Sequence, residues 1–266
     1  MRRACIFCGA SANSCEDAWP RWLTSRFIAP GTMEAQRGVD LRMSTWRTDR
    51  PEIRIRRVCA ECNNGWMSRL QQRAKPVIER LWDQDTCILD IEDSHALSLW
   101  AVMTSMVLQT LDEPEGWLFS DLERTLICKH EQILHVIGVW IANCVNHLET
   151  YSQSRSLWTG PSRDAEEQAR ANVITMAFGA LAIQLLKVVP LGKVTPGMEV
   201  SVAQGSGPWE QVASQIWPIQ PEPVSWPPSS GIRHEYELEL FAERFCPQDR
   251  ATPVHLSPPS LYRRPQ

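Results

Sequence analysis

The sequence has no run of about eighteen consecutive apolar residues, so no transmembrane helix and no membrane partner are expected. A signal peptide is not expected either, because Met1, Arg2 and Arg3 are soon followed by a cysteine, before any apolar segment could form. The predicted compartment is the cytoplasm, where thiols stay reduced. We therefore expect the nine cysteines to be metal ligands or buried thiols rather than a disulfide framework, which an odd number also fits poorly.

Histidine is absent before His95, and none of the six histidines lies at a spacing typical of a metal site. The glycines between Gly192 and Gly207 do not have the arrangement of a phosphate-binding P-loop. Beyond residue 82 no segment matches a catalytic pattern. The sequence therefore places its candidate chemistry in the first part of the chain.

Lysine is scarce in that first part. Residues 1–75 contain fourteen Lys/Arg, thirteen of them arginine, and seven Asp/Glu, so their formal charge is +7. The remaining residues contain thirteen Lys/Arg and twenty-four Asp/Glu, a formal charge of −11, and the whole chain therefore carries −4. Because arginine binds phosphates bidentately, this asymmetry predicts a polyanion partner, with Arg54, Arg56 and Arg57 as candidate nucleic-acid-binding residues. The alternative is an ordinary solvated surface in an arginine-rich protein.

Two Cys-x-x-Cys pairs share one spacing inside the basic segment: Cys5 with Cys8, and Cys59 with Cys62. Two such pairs can place four thiolates tetrahedrally around zinc, and four thiolates close its coordination sphere. The pattern thus predicts a structural zinc, with a binding free energy of about 10 kcal/mol or more that would hold the two ends of the segment together. The alternative, two chance pairs of buried cysteines, does not explain the shared spacing.

Hydrophobic patterning predicts an α+β fold in two domains, residues 1–82 and residues 83–266. In the first domain it predicts strands over 2–8 and 53–58, a short helix over 18–23, a loop over 30–51, and a helix over 66–82 that Pro76 would interrupt or kink.

The second domain is expected to be mixed helical and antiparallel β, acting as a scaffold or specificity domain that could contact a protein partner or a second copy. Asp93 and Ser94 are the candidate N-cap of its first helix. The predicted elements are helices over 94–111 and 122–130, strands over 134–144, 150–158 and 173–189, and a final strand or helix over 236–245.

The first 70 or so residues resemble the HNH endonuclease family, a ββα-metal fold that is often braced by a four-cysteine zinc. The stretches that carry the resemblance are Cys5-Ile6-Phe7-Cys8-Gly9, Cys15-Glu16-Asp17-Ala18-Trp19-Pro20-Arg21-Trp22-Leu23 and Val58-Cys59-Ala60-Glu61-Cys62-Asn63-Asn64-Gly65-Trp66-Met67. The resemblance implies a metal-dependent endonuclease that cleaves phosphodiester bonds, with DNA as the expected substrate, in defence or mobile-element biology.

The family's site residues transfer to this sequence one by one. Glu16 takes the place of the ligand to a catalytic Mg²⁺ or Mn²⁺, and Asn63 takes the place of the closing ligand, with Asn64 as its alternative. Asp17 stands where the family has its catalytic histidine, and together with Glu16 and Asn63 it is also a candidate ligand of the catalytic ion. Arg54 falls near the usual middle asparagine. Asp17 and Arg54 are both departures from the family's pattern.

The departure at Asp17 leaves two functions open. An aspartate with a pKa of about 3.9 accepts a proton poorly at neutral pH unless burial or the neighbouring Glu16 raises that pKa. Either Asp17 serves as a variant base in a competent nuclease, or the protein is a catalytically inactive zinc-braced module that binds nucleic acid or another protein. Without the flanking cysteines, Glu16 and Asp17 would be interpreted as helix-capping residues, and Asn63-Asn64-Gly65 as a turn.

Overall fold

The structure is a computed structural model of the 266-residue chain. It describes backbone and side chains for residues 3–26, 54–111, 117–134, 136–146, 171–188 and 209–245, and backbone alone for residues 27, 33–39, 42–48, 147–159, 169–170, 189–190, 208, 254–257 and 261–263.

From residue 3, where the described part of the chain starts, the backbone forms a turn rather than the strand predicted over residues 2–8, so that prediction is wrong. The N–H of Gly9 donates to the carbonyl of Cys5, and the N–H of Cys5 donates to the carbonyl of Ala10. The backbone folds back because Cys5 and Cys8 both point into one cluster, which an extended strand with its alternating side chains does not allow. A single bridge, Ala4 with Ser11, is the strand-like pairing here.

The short helix predicted over residues 18–23 is confirmed as α1 (Arg21–Thr24), which follows the two-residue strand β1 (Glu16–Asp17). The loop predicted over residues 30–51 is wrong, because β2 (Met33–Val39) and β3 (Arg42–Thr48) pair there as an antiparallel hairpin. Backbone pairing between strands does not require apolar side chains, so the polar composition of this segment did not reveal its two strands.

Of the strand predicted over residues 53–58, the described residues 54–58 contain β4 (Arg54–Ile55), which pairs antiparallel with β1. A one-turn helix α2 (Ala60–Cys62), a π-helical turn (Asn63–Met67) and α3 (Ser68–Trp82) then follow in succession, with a kink at Gly65, whose φ of −92° and ψ of −109° are not helical. The predicted helix over residues 66–82 is therefore confirmed, and it continues through Pro76. Strands β1 and β4, which α1, β2 and β3 separate in the sequence, thus pair just before this helical segment.

The first helix of the second part is capped by an aspartate side chain. A short strand, β5 (Cys87–Leu89), precedes α4 (Ile91–Leu108). The N-cap of α4 is Asp90, whose carboxylate accepts the Asp93 N–H at 2.8 Å, so the helix starts earlier than predicted. From Ala96 to Val107 every residue of α4 is buried, as expected for a helix surrounded by protein.

The predicted helix over residues 122–130 is confirmed as α5 (Asp121–His130). Ser120 and Glu123 form a capping box at its start. The Glu123 carboxylate also forms a buried ion pair with Lys187, whose Nζ lies 2.6 Å from Oε2.

The main sheet is antiparallel. The strands predicted over 134–144 and 150–158 are one 23-residue strand, β6 (Ile137–Thr159), whose register is irregular between Asn143 and Tyr151. This irregularity accounts for the break in the sequence pattern. The remaining elements are β7 (Ala169–Pro190), β8 (Ala213–Trp217), β9 (Val224–Trp226), the helix α6 (Glu235–Glu243), β10 (Val254–Ser257) and β11 (Leu261–Arg263).

Strand β6 pairs with β7 along one edge and with β8 and β10 along the other, while β9 pairs with β5 and β11 pairs with β2. The fold is thus α+β with antiparallel sheets, as predicted at that level. Within the described residues, none of the helices has both the length and the apolar character needed to cross a bilayer.

The core is organised around Phe178 of β7. Its ring stacks on Trp82 at 6.1 Å and meets Trp100 and Trp19 edge-on at 5.8 and 5.7 Å. These three tryptophans belong to α3, α4 and the segment before α1, so one hydrophobic cluster contains side chains from both sides of residue 82. The boundary at that residue stays a prediction.

Candidate metal centre and the adjoining acidic strand

The four cysteines of the two Cys-x-x-Cys pairs lie together, as the sequence predicted. The sulfur atoms of Cys5, Cys8, Cys59 and Cys62 are all within 4.8 Å of one another, and Cys8 and Cys59 are 3.5 Å apart. Tetrahedral zinc with bonds of about 2.3 Å needs sulfurs at this kind of separation. The cluster could therefore hold a metal such as zinc.

Backbone hydrogen bonds join the two pairs before any metal is considered. The N–H of Ile6 donates to the carbonyl of Arg57 at 2.9 Å, and the N–H of Ser14 donates to the carbonyl of Val58 at 3.2 Å. The first N–H of α2, from Ala60, donates to the side-chain oxygen of Asn13 at 2.8 Å. The two turns are consequently fixed against each other by the chain itself.

The surroundings of the thiols act on their pKa values in opposite directions. Burial raises the pKa of Cys62, and it also raises that of Cys8. Burial acts the same way on Cys5, but backbone hydrogen bonds at Phe7, Cys59 and Cys8 outweigh it and lower the pKa of that thiol. The N–H of Cys62 likewise donates to the sulfur of Cys59 at 3.4 Å. Hydrogen bonds that favour thiolates suit a metal site, because metal binding releases the thiol protons.

Two residues beside the cluster were not identified from the sequence. Burial raises the pKa of Cys128 of α5, and an interaction with Cys62 opposes this effect, so Cys128 lies near the cluster. Trp66 lies one helical turn after Cys62, and its buried indole N–H meets no oxygen or nitrogen acceptor within the part of the chain that the structure describes. An interaction with this indole opposes the effect of burial on the Cys62 pKa. The four-residue spacing could have indicated Trp66, but no sequence signal points to Cys128.

Glu16 of β1 is buried next to the start of the long helix. It is 7% exposed, and its Oε1 accepts a hydrogen bond from Nε2 of Gln71 at 3.1 Å. Burial raises the pKa of Glu16 to about 7; the charge of Asp17 adds to this effect, and hydrogen bonds from Gln71 and Asn63 oppose it. Asn63 also donates from Nδ2 to the hydroxyl of Ser14 at 2.8 Å. The side chains of Glu16 and Asn63 thus lie close to each other, and their assignment as ligands of a catalytic ion stays a prediction.

Asp17 has a different environment from its neighbour. Adjacent residues of a strand point to opposite faces, so Glu16 points inward and Asp17 points outward. One carboxylate oxygen of Asp17 lies 3.1 Å from Nε of Arg21, and the other lies 3.7 Å from Nε of Arg54. The candidate base is therefore paired with two arginines.

The three candidate nucleic-acid-binding arginines are not equivalent. Arg54 and Arg56 are exposed, whereas Arg57 is half-buried and its guanidinium lies over the ring of Trp117 at 5.4 Å. Arg124 lies over the same ring at 4.7 Å. Arg57 is thus engaged within the protein, while Arg54 and Arg56 face outward.

No family model, no curated protein and no solved structure matches this chain.

Proposed function

We propose that this protein is an HNH-like endonuclease that cleaves phosphodiester bonds of nucleic acid, with DNA as the expected substrate, in defence or mobile-element biology. The observation that supports it best is that Glu16 of β1 lies close to Asn63, which directly follows α2 and donates a hydrogen bond to Ser14, two residues before Glu16. In the family that the sequence resembles, these two places supply the ligands of the catalytic ion.

Zinc at the four cysteines has a structural role in this proposal. Four thiolates leave no open coordination position, so the ion does no chemistry. Its function is to hold the turn at Cys5–Cys8 against the start of α2, and thereby to keep Asn63 next to β1.

Mg²⁺ or Mn²⁺ would be held by the carboxylate of Glu16 and the side-chain oxygen of Asn63, which are oxygen donors of the kind that hard cations prefer. Such an ion supplies stabilisation of the charge that develops on the scissile phosphate and the leaving oxygen. A hydrogen bond from Gln71 holds the Glu16 carboxyl in place. The amide N–H of Asn63 donates to the hydroxyl of Ser14, and the amide oxygen of Asn63 would then be the atom that coordinates the ion. Asp17 takes the place of the family's histidine, and Arg54 and Arg56 are positioned to contact the backbone of the nucleic acid.

The test is incubation of supercoiled plasmid and of structured RNA with zinc-loaded protein and Mg²⁺ or Mn²⁺. The wild type is expected to nick or linearise the plasmid, and Glu16→Gln, Asn63→Ala and the double variant Glu16→Ala/Asp17→Ala are expected to lose this activity. Glu92→Gln is the matched control, because Glu92 is an exposed glutamate at the start of α4. Cleavage that survives the double substitution would defeat the site assignment.

The second candidate function is binding of nucleic acid without cleavage. The observation that favours it is the pairing of Asp17 with Arg21 and Arg54, which occupies the carboxylate in the place of the base. This function predicts salt-sensitive binding, because released counterions drive phosphate contacts, and no cleavage with either ion.

A further inference from the structure

The loop that joins β8 to β9 borders a groove with a volume of about 570 Å³, a size typical of ligand sites. Its lining extends from Glu210, in the turn before β8, to Ser229. We infer that this groove is a docking site for a basic peptide segment of a partner protein, with a lysine or arginine next to an apolar residue. The inference goes beyond the proposed function and does not depend on it.

The charge of the groove is negative. Glu210 and Glu222 both line it, both are exposed, and neither forms an ion pair within the described part of the chain. Lysine, arginine and histidine are all absent from the described residues of the lining. Because a groove lined by charges of one sign attracts ions of the opposite sign, a cationic ligand is favoured.

The groove is also richer in hydrogen-bond acceptors than in donors. Nε2 of Gln220 donates to the carbonyl of Pro218 at 2.7 Å, so this amide nitrogen is engaged within the loop. Lysine and arginine side chains are donors only, and they therefore match the carboxylates and carbonyls of the lining. Four lining residues are prolines, which have a backbone carbonyl but no N–H: Pro221, Pro223, Pro227 and Pro228.

An exposed isoleucine lies at the edge of the groove. Ile88 of β5 is the cross-strand partner of Ser225, a lining residue, so the two side chains lie next to each other on the same side of the strand pair. Ile88 is 65% exposed, whereas Leu89 and Trp226 are buried in the core and anchor the pair. A small polyamine would leave Ile88 in water, so a peptide that carries an apolar residue beside its cation fits this surface better.

The test begins with an array of random-sequence peptides that is probed with the zinc-loaded full chain. Bound peptides are expected to be enriched in lysine or arginine next to an apolar residue, and Glu210→Gln/Glu222→Gln is expected to lose this enrichment. An array on which the wild type binds nothing overturns the inference. Enrichment of acidic or uncharged peptides, or an unchanged set of peptides bound by the variant, does so as well.

Fluorescence anisotropy with the most strongly bound peptide then measures the two parts of the surface separately. Glu210→Gln/Glu222→Gln is expected to weaken binding about tenfold and to remove most of its dependence on salt. Ile88→Ser is expected to weaken binding about fivefold and to leave the salt dependence unchanged. Full affinity in either variant overturns the role of the residues it replaces.

Two matched controls show whether these effects belong to the groove. Glu235→Gln/Glu239→Gln removes two exposed charges from α6, and Leu122→Ser replaces a side chain of α5 that is 64% exposed. Each is expected to change affinity less than twofold, and circular dichroism verifies that every variant is folded. Controls that weaken binding as much as the groove substitutions overturn the location.

Competition with spermidine distinguishes a peptide from a small polycation. Spermidine that binds as tightly as the peptide, and binds Ile88→Ser equally well, overturns the peptide ligand. The groove residues are different from those of the acidic strand, so failure of the proposed nuclease function leaves each of these outcomes unchanged.

Discussion

The sulfur atoms of Cys8 and Cys59 lie 3.5 Å apart, although 51 residues separate the two cysteines in the sequence. Closing a loop of this length costs conformational entropy, which a bound metal can offset. The residues of the acidic strand lie inside the closed loop, and Asn63 follows it directly. A metal at the cluster would therefore add to the hydrogen bonds that already hold Glu16 and Asn63 near each other.

We expect freshly purified protein to contain one zinc per chain, measured by elemental analysis. A structural zinc site contributes about 10 kcal/mol or more at neutral pH, which is comparable to the whole stability of a domain. Removing the metal with a chelator, or replacing Cys59 by serine, should therefore unfold the first part of the chain. Cys15→Ser is the control, because Cys15 is exposed and lies outside the cluster. Full thermal stability of the Cys59→Ser variant would contradict a structural role for the metal.

The features predicted correctly from the sequence are those with a local pattern. The cysteine spacing indicated the metal cluster, and helical periodicity indicated α3 and α5. Arg21 could also have been linked to Asp17 by its four-residue spacing. These features could be predicted because each pattern involves residues that are close to one another in the sequence.

The features that were missed depend on tertiary contacts. The hairpin β2–β3 has a polar sequence, and its strands form through pairing. Arg54 reaches Asp17 only through the register of β1 with β4, and Cys128 reaches the cluster only through the packing of α5. The local sequence of residues 2–8 does not distinguish a strand from a turn. The backbone conformation of this segment depends on where the second cysteine pair lies in the fold.

Glu16 should make the stability of the protein depend on pH. Its pKa is about 7 in the folded protein against a usual value of 4.5, so the folded state holds a proton that the unfolded chain releases. Stability is consequently lost as the pH rises from 4.5 through 7, by about 3 kcal/mol in total. Glu16→Gln removes this loss. In buffer without divalent ions the variant should be more stable than the wild type at pH 8 and about equal to it at pH 4.5.

Urea unfolding at a series of pH values measures this difference, with Glu92→Gln as the exposed control. If Mg²⁺ or Mn²⁺ binds at Glu16, adding the ion at pH 8 should stabilise the wild type and leave Glu16→Gln unchanged. A difference between the two proteins that stays constant from pH 4.5 to pH 8 would show that Glu16 does not titrate in this range.

Trp66 should slow the release of metal from the cluster. Its buried indole N–H has no hydrogen-bond partner among the described residues, and an interaction with it opposes the burial that raises the pKa of Cys62, so a metal-bound Cys62 thiolate is the acceptor we expect. Outer hydrogen bonds of this kind typically change metal affinity tenfold or more. Trp66→Phe keeps a ring against Phe7 but removes the N–H, so we expect about tenfold faster zinc transfer to a chromogenic chelator. Trp22→Phe is the matched control, and equal transfer rates in the two variants would exclude the hydrogen bond.

Gly179 should tolerate no side chain, because β7 passes very close to α3 at this position. Its φ is +58°, and a Cβ there would lie 2.5 Å from the ring of Trp82. Gly179→Ala combines backbone strain with this clash, and we expect a loss of about 3 kcal/mol in the free energy of unfolding, measured with urea. Gly9→Ala is the control, since Gly9 has a φ of +75° but open space around it, and should lose only about 1 kcal/mol. In the double variant Gly179→Ala/Trp82→Leu the clash is absent, so the two losses should not add. Additive losses would show that the strand and the helix are not in contact here.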